Sequence, residues 1–232
     1  MLSIIIITKN EEVYLPRLLK TIEKQTFKDF EIILSDANST DNTREIAKKY
    51  GCKIIDGGLP SKGRNNGAKK AKFDLLLFLD ADVLLHKDFL KKNVNEFNEK
   101  KLDIAGVYSE PIEKSFISNL YISIMNFVQK ISQKVYPLMP GYCLFVKKKP
   151  FDKVNGFDEK IIFNEDTDLI QRIAKNYKFR MLKSKKIKMS MRRFKVVGYF
   201  KMALIYIWYH LLRLFKVKYL NVKWYFDINY RR

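Results

Sequence analysis

Apolar residues along this chain fall into two alternating rhythms. Continuous runs, "LSIIII" (residues 2–7), "FEIILSD" (30–36), "CKIID" (52–56) and "FDLLLFLDAD" (73–82), predict strands buried on both faces. Between them, apolar residues recur at helical spacing. "NEEVYLPRLLKTIEKQ" sets Leu15, Leu18, Leu19 and Ile22 on one face behind Asn10 as a candidate cap. "STDNTREIAKKYG" opens on capping side chains and closes on Gly51, and "SKGRNNGAKKA" opens a further short helix. "HKDFLKKNVNEFNEK" and "LDIAGVYS" continue as a helix and a strand. Beyond about residue 114 the order loosens: "SFISNLYISIMNFVQKISQKVYP" predicts an apolar helix or loop, "GYCLFVKK" a strand and "NEDTDLIQRIAKN" a capped helix.

Strands and helices alternating over short connections predict an α/β fold with a Rossmann-like, doubly wound, mostly parallel sheet. Such sheets bind ligands beyond the carboxyl ends of their strands. The polar clusters fall at that edge: "TKNE" after the first strand, "SDANSTDNT" after the second and "DAD" after the fourth. No G-x-G-x-x-G or Walker A sequence occurs, which weakens dinucleotide-oxidoreductase and ATPase readings. Asp80 and Asp82 stand one residue apart at the end of a buried run. Two carboxylates facing the same way repel unless a cation or polar ligand lies between them; the alternative is an acidic strand-to-turn cap.

Composition narrows the picture. A chain of 232 residues with 47% hydrophobic and 14% aromatic residues has the material for a core, which excludes disorder and fits one domain, or one domain with an appendage. Cys52 and Cys143 have no metal-ligand spacing, so neither a disulfide framework nor a Cys-based zinc site is supported, and a reducing compartment is expected. "MLSIIIITKNEE" is too short for a secretory segment and is read as the first strand, placing the chain in the cytosol or on the cytosolic face of a membrane. The net charge of +20 is uneven: residues 169–232 hold 18 basic residues against the single acid Asp227. This asymmetry points to an anionic surface as partner of the C-terminal part.

Six segments in order, "SIIIITKNEEVYLPRLLKTIEKQ", "EIILSDANSTDNT", "GRNNGAKKA", "LLLFLDADVLL", "NGFDE" and "NEDTDLIQRI", resemble the family 2 glycosyltransferases, which have the A-type glycosyltransferase fold. The resemblance covers residues 2 to about 173. It implies a nucleotide-sugar donor whose diphosphate leaving group is neutralised by Mg²⁺ or Mn²⁺ on carboxylate oxygens, with Asp82 as direct ligand and Asp80 contacting the ribose or the metal through water. Asp36 is then expected to read the base, although Ala37 stands where the family often has a second Asp. Thr8 and Glu11 become candidates for lining the nucleoside pocket, and the bland reading of Ser39 to Thr43 is helix capping. Arg64 and Asn65 match an Arg-Asn-x-Gly pattern, with Arg64 expected on the diphosphate or base region and Gly67 allowing close approach to the donor.

In "NEDTDL" the resemblance makes Asp166 the base for inverting transfer, with Glu165 positioning the acceptor. The competing reading has these carboxylates complementing a helix dipole, which would keep them ionised and weak as bases. The family's further metal-binding His has no counterpart between His86 and His210; instead, in "KSKKIKMSMRRF", Ser190, Arg192 and Arg193 resemble a Ser-x-Arg-Arg variant whose arginines could close over the diphosphate, and the competing reading is a solvated or lipid-facing basic stretch.

"VVGYFKMALIYIWYHLLRLF" (196–215) is apolar but broken by Lys201, His210 and Arg213. Too interrupted for a clean span, and carrying Trp208 and several Tyr, it is expected to be an interfacial or re-entrant helix, with spanning and soluble packing as alternatives. Residues 115–127 are expected to be core, with a second lipid-facing segment as the alternative. The chain is thus divided into a catalytic domain (1–194) and a membrane-associating tail (195–232) on the cytoplasmic face of the cell membrane, acting on a lipid-linked or cell-envelope glycan acceptor and drawn to an anionic membrane surface. Nucleic acid is not expected as a partner, because no RNP, zinc-finger or helix-turn-helix signature accompanies the basic residues. The rivals are a nucleotidyltransferase on a related sheet and a non-catalytic basic binding protein.

Overall fold

The computed structural model describes residues 1–214. The first half follows the predicted alternation: β1 (Leu2–Thr8), α1 (Leu15–Glu23), β2 (Phe30–Asp36), α2 (Thr43–Lys49), β3 (Lys53–Asp56), α3 (Pro60–Lys70) and β4 (Leu75–Asp80). After them come β5 (Val83–Leu84), α4 (Phe89–Glu99), β6 (Ile104–Pro111), α5 (Phe116–Ser132), β7 (Cys143–Lys147), α6 (Lys148–Lys153), α7 (Glu165–Ala174), β8 (Phe179–Met189), α8 (Arg192–Val197) and α9 (Tyr199–Leu214).

One eight-stranded sheet runs in the order β3-β2-β1-β4-β7-β6-β8-β5. Its first four strands are parallel, with Ile5 paired to Ile33 on one side and to Phe78 on the other. β7 then lies antiparallel to both β4 and β6, and β5 antiparallel to β8, so the sheet is mixed. Strand direction was hidden in the sequence because both faces of "CLFV" are buried, and a fully buried strand has the same apolar signature in either direction. The core centres on Ile4, Ile5, Ile6, Leu76, Leu77 and Phe78, all fully buried, with Phe151 and Phe157 packed on the Phe78 ring at 5.6 and 5.3 Å.

Three local expectations are corrected. Asn10 does not cap α1: it adopts a left-handed φ of 53°, its side-chain oxygen accepts from Thr40 N at 2.8 Å, and the helix starts five residues later with Pro16 in its first turn. Gly67 serves packing rather than donor approach, since a Cβ there would lie 2.3 Å from Ile5 Cγ2, where α3 crosses β1. Most of α5 is not core. Only Ser118, Ile122 and Gln129 of that helix are buried, while Phe116 is 82% and Phe127 61% exposed.

The C-terminal helices pack on the catalytic body. Phe163 stacks on Tyr206 and meets the edge of Tyr209, with ring centroids at 5.6 and 4.9 Å. Arg213 donates to Asp168 at 2.9 Å across a buried contact. The expected boundary at residue 194 falls inside α8. No helix among the described residues is long and apolar enough to cross a membrane, and the part of the expected tail beyond 214 lies outside the described residues.

Candidate active site

A cavity of about 570 Å³ opens at the carboxyl ends of β1 and β4, where the polar clusters were expected to converge. Thr8 and Glu11 line it from β1 and the loop that follows, Asp80 and Asp82 from the end of β4, Arg64 from α3, Glu165 and Asp166 from the start of α7, and Arg192 and Arg193 from α8. Nine of the eleven residues singled out in the sequence therefore share one cavity, although they come from five separate stretches of chain.

Arg64 is the hub. It is 4% exposed, its Nη1 donates to Glu165, its Nη2 donates to Asp80 at 3.0 Å, and its guanidinium lies over the Phe157 ring at 5.4 Å. Burial opposes its charge, but Glu165, Asp80 and Asp166 outweigh that cost and hold its pKa above the ordinary arginine value. The Asp80 pKa is raised by loss of solvent, against the pull of Arg64 and with a further push from Asp82.

Asp166 carries the largest consequence for chemistry. Burial, then the neighbouring Glu165 charge, push its pKa up to about 8, with Arg64 pulling the other way. Thr167 N donates to Asp166 Oδ1 at 2.6 Å and fixes the carboxyl at the helix start. A Cβ on Gly141 would sit 2.7 Å from Asp166 Oδ2 and 3.1 Å from Arg64 Nη2, so only glycine lets the 140–142 loop close over this pair. The helix-dipole reading, in which the carboxylate stays strongly acidic, loses to desolvation here.

Arg192 bridges the other side. Its Nε donates to Asp82 Oδ2 at 2.9 Å, its Nη1 and Nη2 donate to the two Glu11 oxygens at 3.2 and 2.7 Å, and it lies 4.2 Å over the Tyr14 ring. Burial works against its charge; Asp82 first, then Glu11, hold its pKa well above the ordinary value. Arg193 also lines the cavity and acts electrostatically on Asp80.

Two expected residues lie outside the cavity wall. Asn65 faces the segment "NGFDE", where its Nδ2 donates to Phe157 O at 2.9 Å and Glu159 Oε1 at 3.0 Å, and its Oδ1 accepts from Phe157 N at 2.9 Å. Both functions of its amide brace that turn, and none reaches the cavity. Asp36 is fully buried, accepting from Thr8 Oγ1 at 3.1 Å, Ser39 N at 3.0 Å, Ser39 Oγ at 2.5 Å and Arg44 Nη1 at 3.1 Å; Ala37 is the neighbour that lines the cavity. Asn42, at the start of α2, makes no side-chain cap; Asp41 Oδ1 instead accepts from Thr43 N at 3.0 Å, and the Ser39–Thr43 segment also braces the loop before α1. Asn10 N donates to Ser39 Oγ, Glu11 N to Thr43 Oγ1 and Glu12 N to Asp41 Oδ2, at 2.8, 2.7 and 3.1 Å, which holds the loop carrying Glu11.

Tyr14, Gly141, Phe163 and Tyr206 also line the cavity and were not singled out. The Pro140-Gly141 pair was a visible turn signal, whereas the aromatic residues could not be told from core by sequence.

Among the described residues no three His, Cys, Asp or Glu side chains cluster as a metal site, and His210 instead accepts from Asn164 Nδ2 at 3.3 Å. Among the described residues, Asp82 and Asp80 are the carboxylates at the end of β4 that a cation on the diphosphate would meet. A hard divalent ion held by one or two carboxylates, with phosphate oxygens completing its shell, is compatible with that donor set.

A mixed α/β sheet with a carboxylate pair at the end of β4 and a buried acid at the start of α7 defines an A-type glycosyltransferase fold. Residues 3–154 match the description of glycosyl transferase family 2, and the chain belongs to that family. It is 34% identical over 155 residues to the poly(ribitol-phosphate) β-N-acetylglucosaminyltransferase TarS of Staphylococcus aureus (strain Mu50), an alignment covering 60% of this chain and 26% of TarS. It is 29% identical over 177 residues to the GalNAc(5)-diNAcBac-PP-undecaprenol β-1,3-glucosyltransferase of Campylobacter jejuni, covering 72% of this chain and 57% of that protein. The chain therefore spans between about a quarter and about half of these relatives. The crystal structure of S. aureus TarS 1-349 in complex with UDP-GlcNAc superposes with a TM-score of 0.69 at 22% identity, over 82% of this chain and 58% of that one. The mannosyltransferase PcManGT from Pyrobaculum calidifontis, in complex with GDP-Man and Mn²⁺, gives 0.68 at 16% identity, over 88% and 64%. These likenesses show the fold.

Proposed function

We propose that this chain is an inverting glycosyltransferase that moves a sugar from a nucleotide-sugar donor to a lipid-linked or cell-envelope glycan at the cytoplasmic face of a membrane, with Mg²⁺ or Mn²⁺ on the donor diphosphate. The observation that carries the reading is the position of Asp166: a carboxyl buried at the start of α7, in the same cavity as the Asp80 and Asp82 pair and three arginines, where burial and the Glu165 charge raise its pKa. A general base works best when its pKa lies near the operating pH.

In the proposed step the acceptor hydroxyl oxygen bonds to the anomeric carbon while the bond from that carbon to the diphosphate breaks. Asp166 takes the hydroxyl proton, and the electron pair leaves with the nucleoside diphosphate. Glu165, tied to Arg64, borders the acceptor side. Arg192 and Arg193 face the diphosphate, and Asp82 with Asp80 would hold the metal ion, which supplies neutralisation of the leaving group. Support for the donor class comes from the TarS and PcManGT complexes with UDP-GlcNAc and GDP-Man, and for the acceptor class from the undecaprenol-linked substrate named for the Campylobacter relative. The amphipathic α9, with Trp208 exposed, supports action at a membrane surface.

The test is a thermal-shift series with UDP, GDP, CDP and dTDP, each with Mn²⁺ and with chelator, on wild type and Asp82→Ala. One nucleotide should stabilise wild type only when metal is present, and Asp82→Ala should lose the effect. Absence of any metal-dependent shift with all four nucleotides would overturn the donor-metal assignment.

A further inference from the structure

Helix α5 turns to solvent an apolar stripe flanked by the exposed Asn119, Ser123 and Lys130. Phe116, Leu120, Ile124, Phe127 and Ile131 lie along an arc of roughly 80° at about 100° per residue, and Phe127 and Ile131 are 61% and 60% exposed. Helix α9 has the same construction: Phe200, Leu204, Ile207 and Leu211 form one exposed stripe, with Phe200 77% exposed, while Met202 and Tyr209 face the protein. Tyr121, on the flank of the α5 stripe, packs against Phe194 and Tyr199 at 4.8 and 5.7 Å, where α8 passes into α9. Helix α5 thus touches the α8–α9 segment at this junction. Two rows of exposed large apolar side chains on neighbouring helices mark an interaction surface.

Charge identifies what covers it. Helices α5, α8 and α9 contain no Asp or Glu, and Lys114, Lys130, Lys195 and Lys201 lie on or beside them. At the C-terminal end of α5 a second recess of about 460 Å³ is lined by Lys134, Lys178, Arg180 and Lys183 over Leu102 and Met181. Lys100 at its rim is engaged by Glu96, which also accepts from Lys183 N and Ser184 N and so has its charge committed. A second copy of this chain would bring like charges together on this face, whereas an anionic bilayer offers acyl chains to the stripes and phosphates to the recess.

We propose that α5 is a second membrane-docking element, acting with α9, and that the recess at its C-terminal end receives the phosphate of an anionic phospholipid headgroup. The inference extends the membrane-surface part of the function proposed above and rests on it. Docking of this kind sets the orientation of the body, because α5 is built into the sheet through Asn126, which exchanges hydrogen bonds with the Ser109 backbone of β6 at 2.8 and 3.1 Å.

Flotation with vesicles of phosphatidylcholine, and with vesicles containing an equal amount of phosphatidylglycerol, tests it on the full chain. Ile124→Glu with Phe127→Glu changes exposed positions only and should lower partition onto the mixed vesicles by about tenfold or more. Lys134→Glu with Lys183→Glu should weaken binding to the mixed vesicles by about fivefold or more and leave binding to pure phosphatidylcholine unchanged. Donor hydrolysis without lipid, and circular dichroism, should match wild type in both. Wild-type partition of the α5 variant, with loss on Phe200→Glu, would overturn the α5 proposal while sparing the tail's role. Failure of the wild type to bind either vesicle would overturn both membrane claims, and unchanged hydrolysis would leave glycosyl transfer standing. A wild-type dimer in solution that the α5 variant splits, without vesicle binding, would make the face a protein interface and overturn the proposal.

Discussion

At Asp166 two effects oppose each other: the N-terminus of α7 favours an ionised carboxylate, whereas lost solvent and the Glu165 charge favour the protonated acid. The second wins, and the outcome is measurable. With its pKa raised well above the ordinary carboxylate range, Asp166 is only partly ionised near neutral pH, so if it is the base kcat should rise with pH through the neutral range before levelling off. Asp166→Asn should lose about 10²- to 10⁴-fold in kcat with nucleotide affinity retained. A flat profile across that range would remove Asp166 as the base. Stability runs in the opposite sense. The folded pKa lies above the ordinary 3.8, so this group's contribution is fully present below that value and is lost as pH climbs through about 8. Asp166→Asn should therefore raise Tm, by a margin that widens over the same interval. Arg192 makes a second prediction at this scale. It occupies Asp82 and Glu11, so a cation must displace it. Arg192→Ala should tighten binding of Mn²⁺ alone, read by its electron paramagnetic resonance, and weaken binding of the nucleoside diphosphate.

Among the elements, α9 is fastened to α7 by Arg213 on Asp168, and to the residues just before α7 by His210 on Asn164 and by Tyr206 and Tyr209 on Phe163. Arg172 also holds Asp168, at 2.6 Å; burial tends to raise that carboxyl's pKa, but Arg172 and Arg213 together bring it below the ordinary value. Arg213→Met should cost about 1.5–3 kcal/mol in denaturant unfolding, the range for a hydrogen bond to a charged group, and lower kcat through the start of α7. An unchanged kcat at that loss of stability would make the contact structural only. Sequence made the strands of the first half legible because each is a run with no competing period. β8 was not, since "FRMLKSKKIKM" buries Phe179, Met181, Leu182, Ile187 and Met189 behind lysines that made it look like a solvated basic stretch. The α5 face was misjudged for a related reason: an apolar helix facing solvent has the same period as one facing a core. At the site, residue types in the motifs pointed to the cavity, but Asn65 matched its pattern while serving the turn at Phe157.

For the whole molecule, the chain's positive excess falls on residues 169–232, the part that also carries Arg192 into the cavity and the exposed stripe of α9 to the outside. The two roles are mechanically linked. Arg192 is the first residue of α8, Val196 of α8 and Tyr206 of α9 line the cavity, and Arg213 ties the far end of α9 to α7. A nucleotide that engages Arg192 must therefore stabilise α8 and α9 in their docked position, since opening them would dismantle its own site. With nucleotide at about 100 times its Kd, hydrogen exchange governed by such opening should slow by about 100-fold at residues 192–214, and the protection should vanish in Asp82→Ala. If protection grew only around Thr8, Arg64 and Asp80, the donor site would be complete without the C-terminal helices, and their contact with α7 would serve the acceptor side alone.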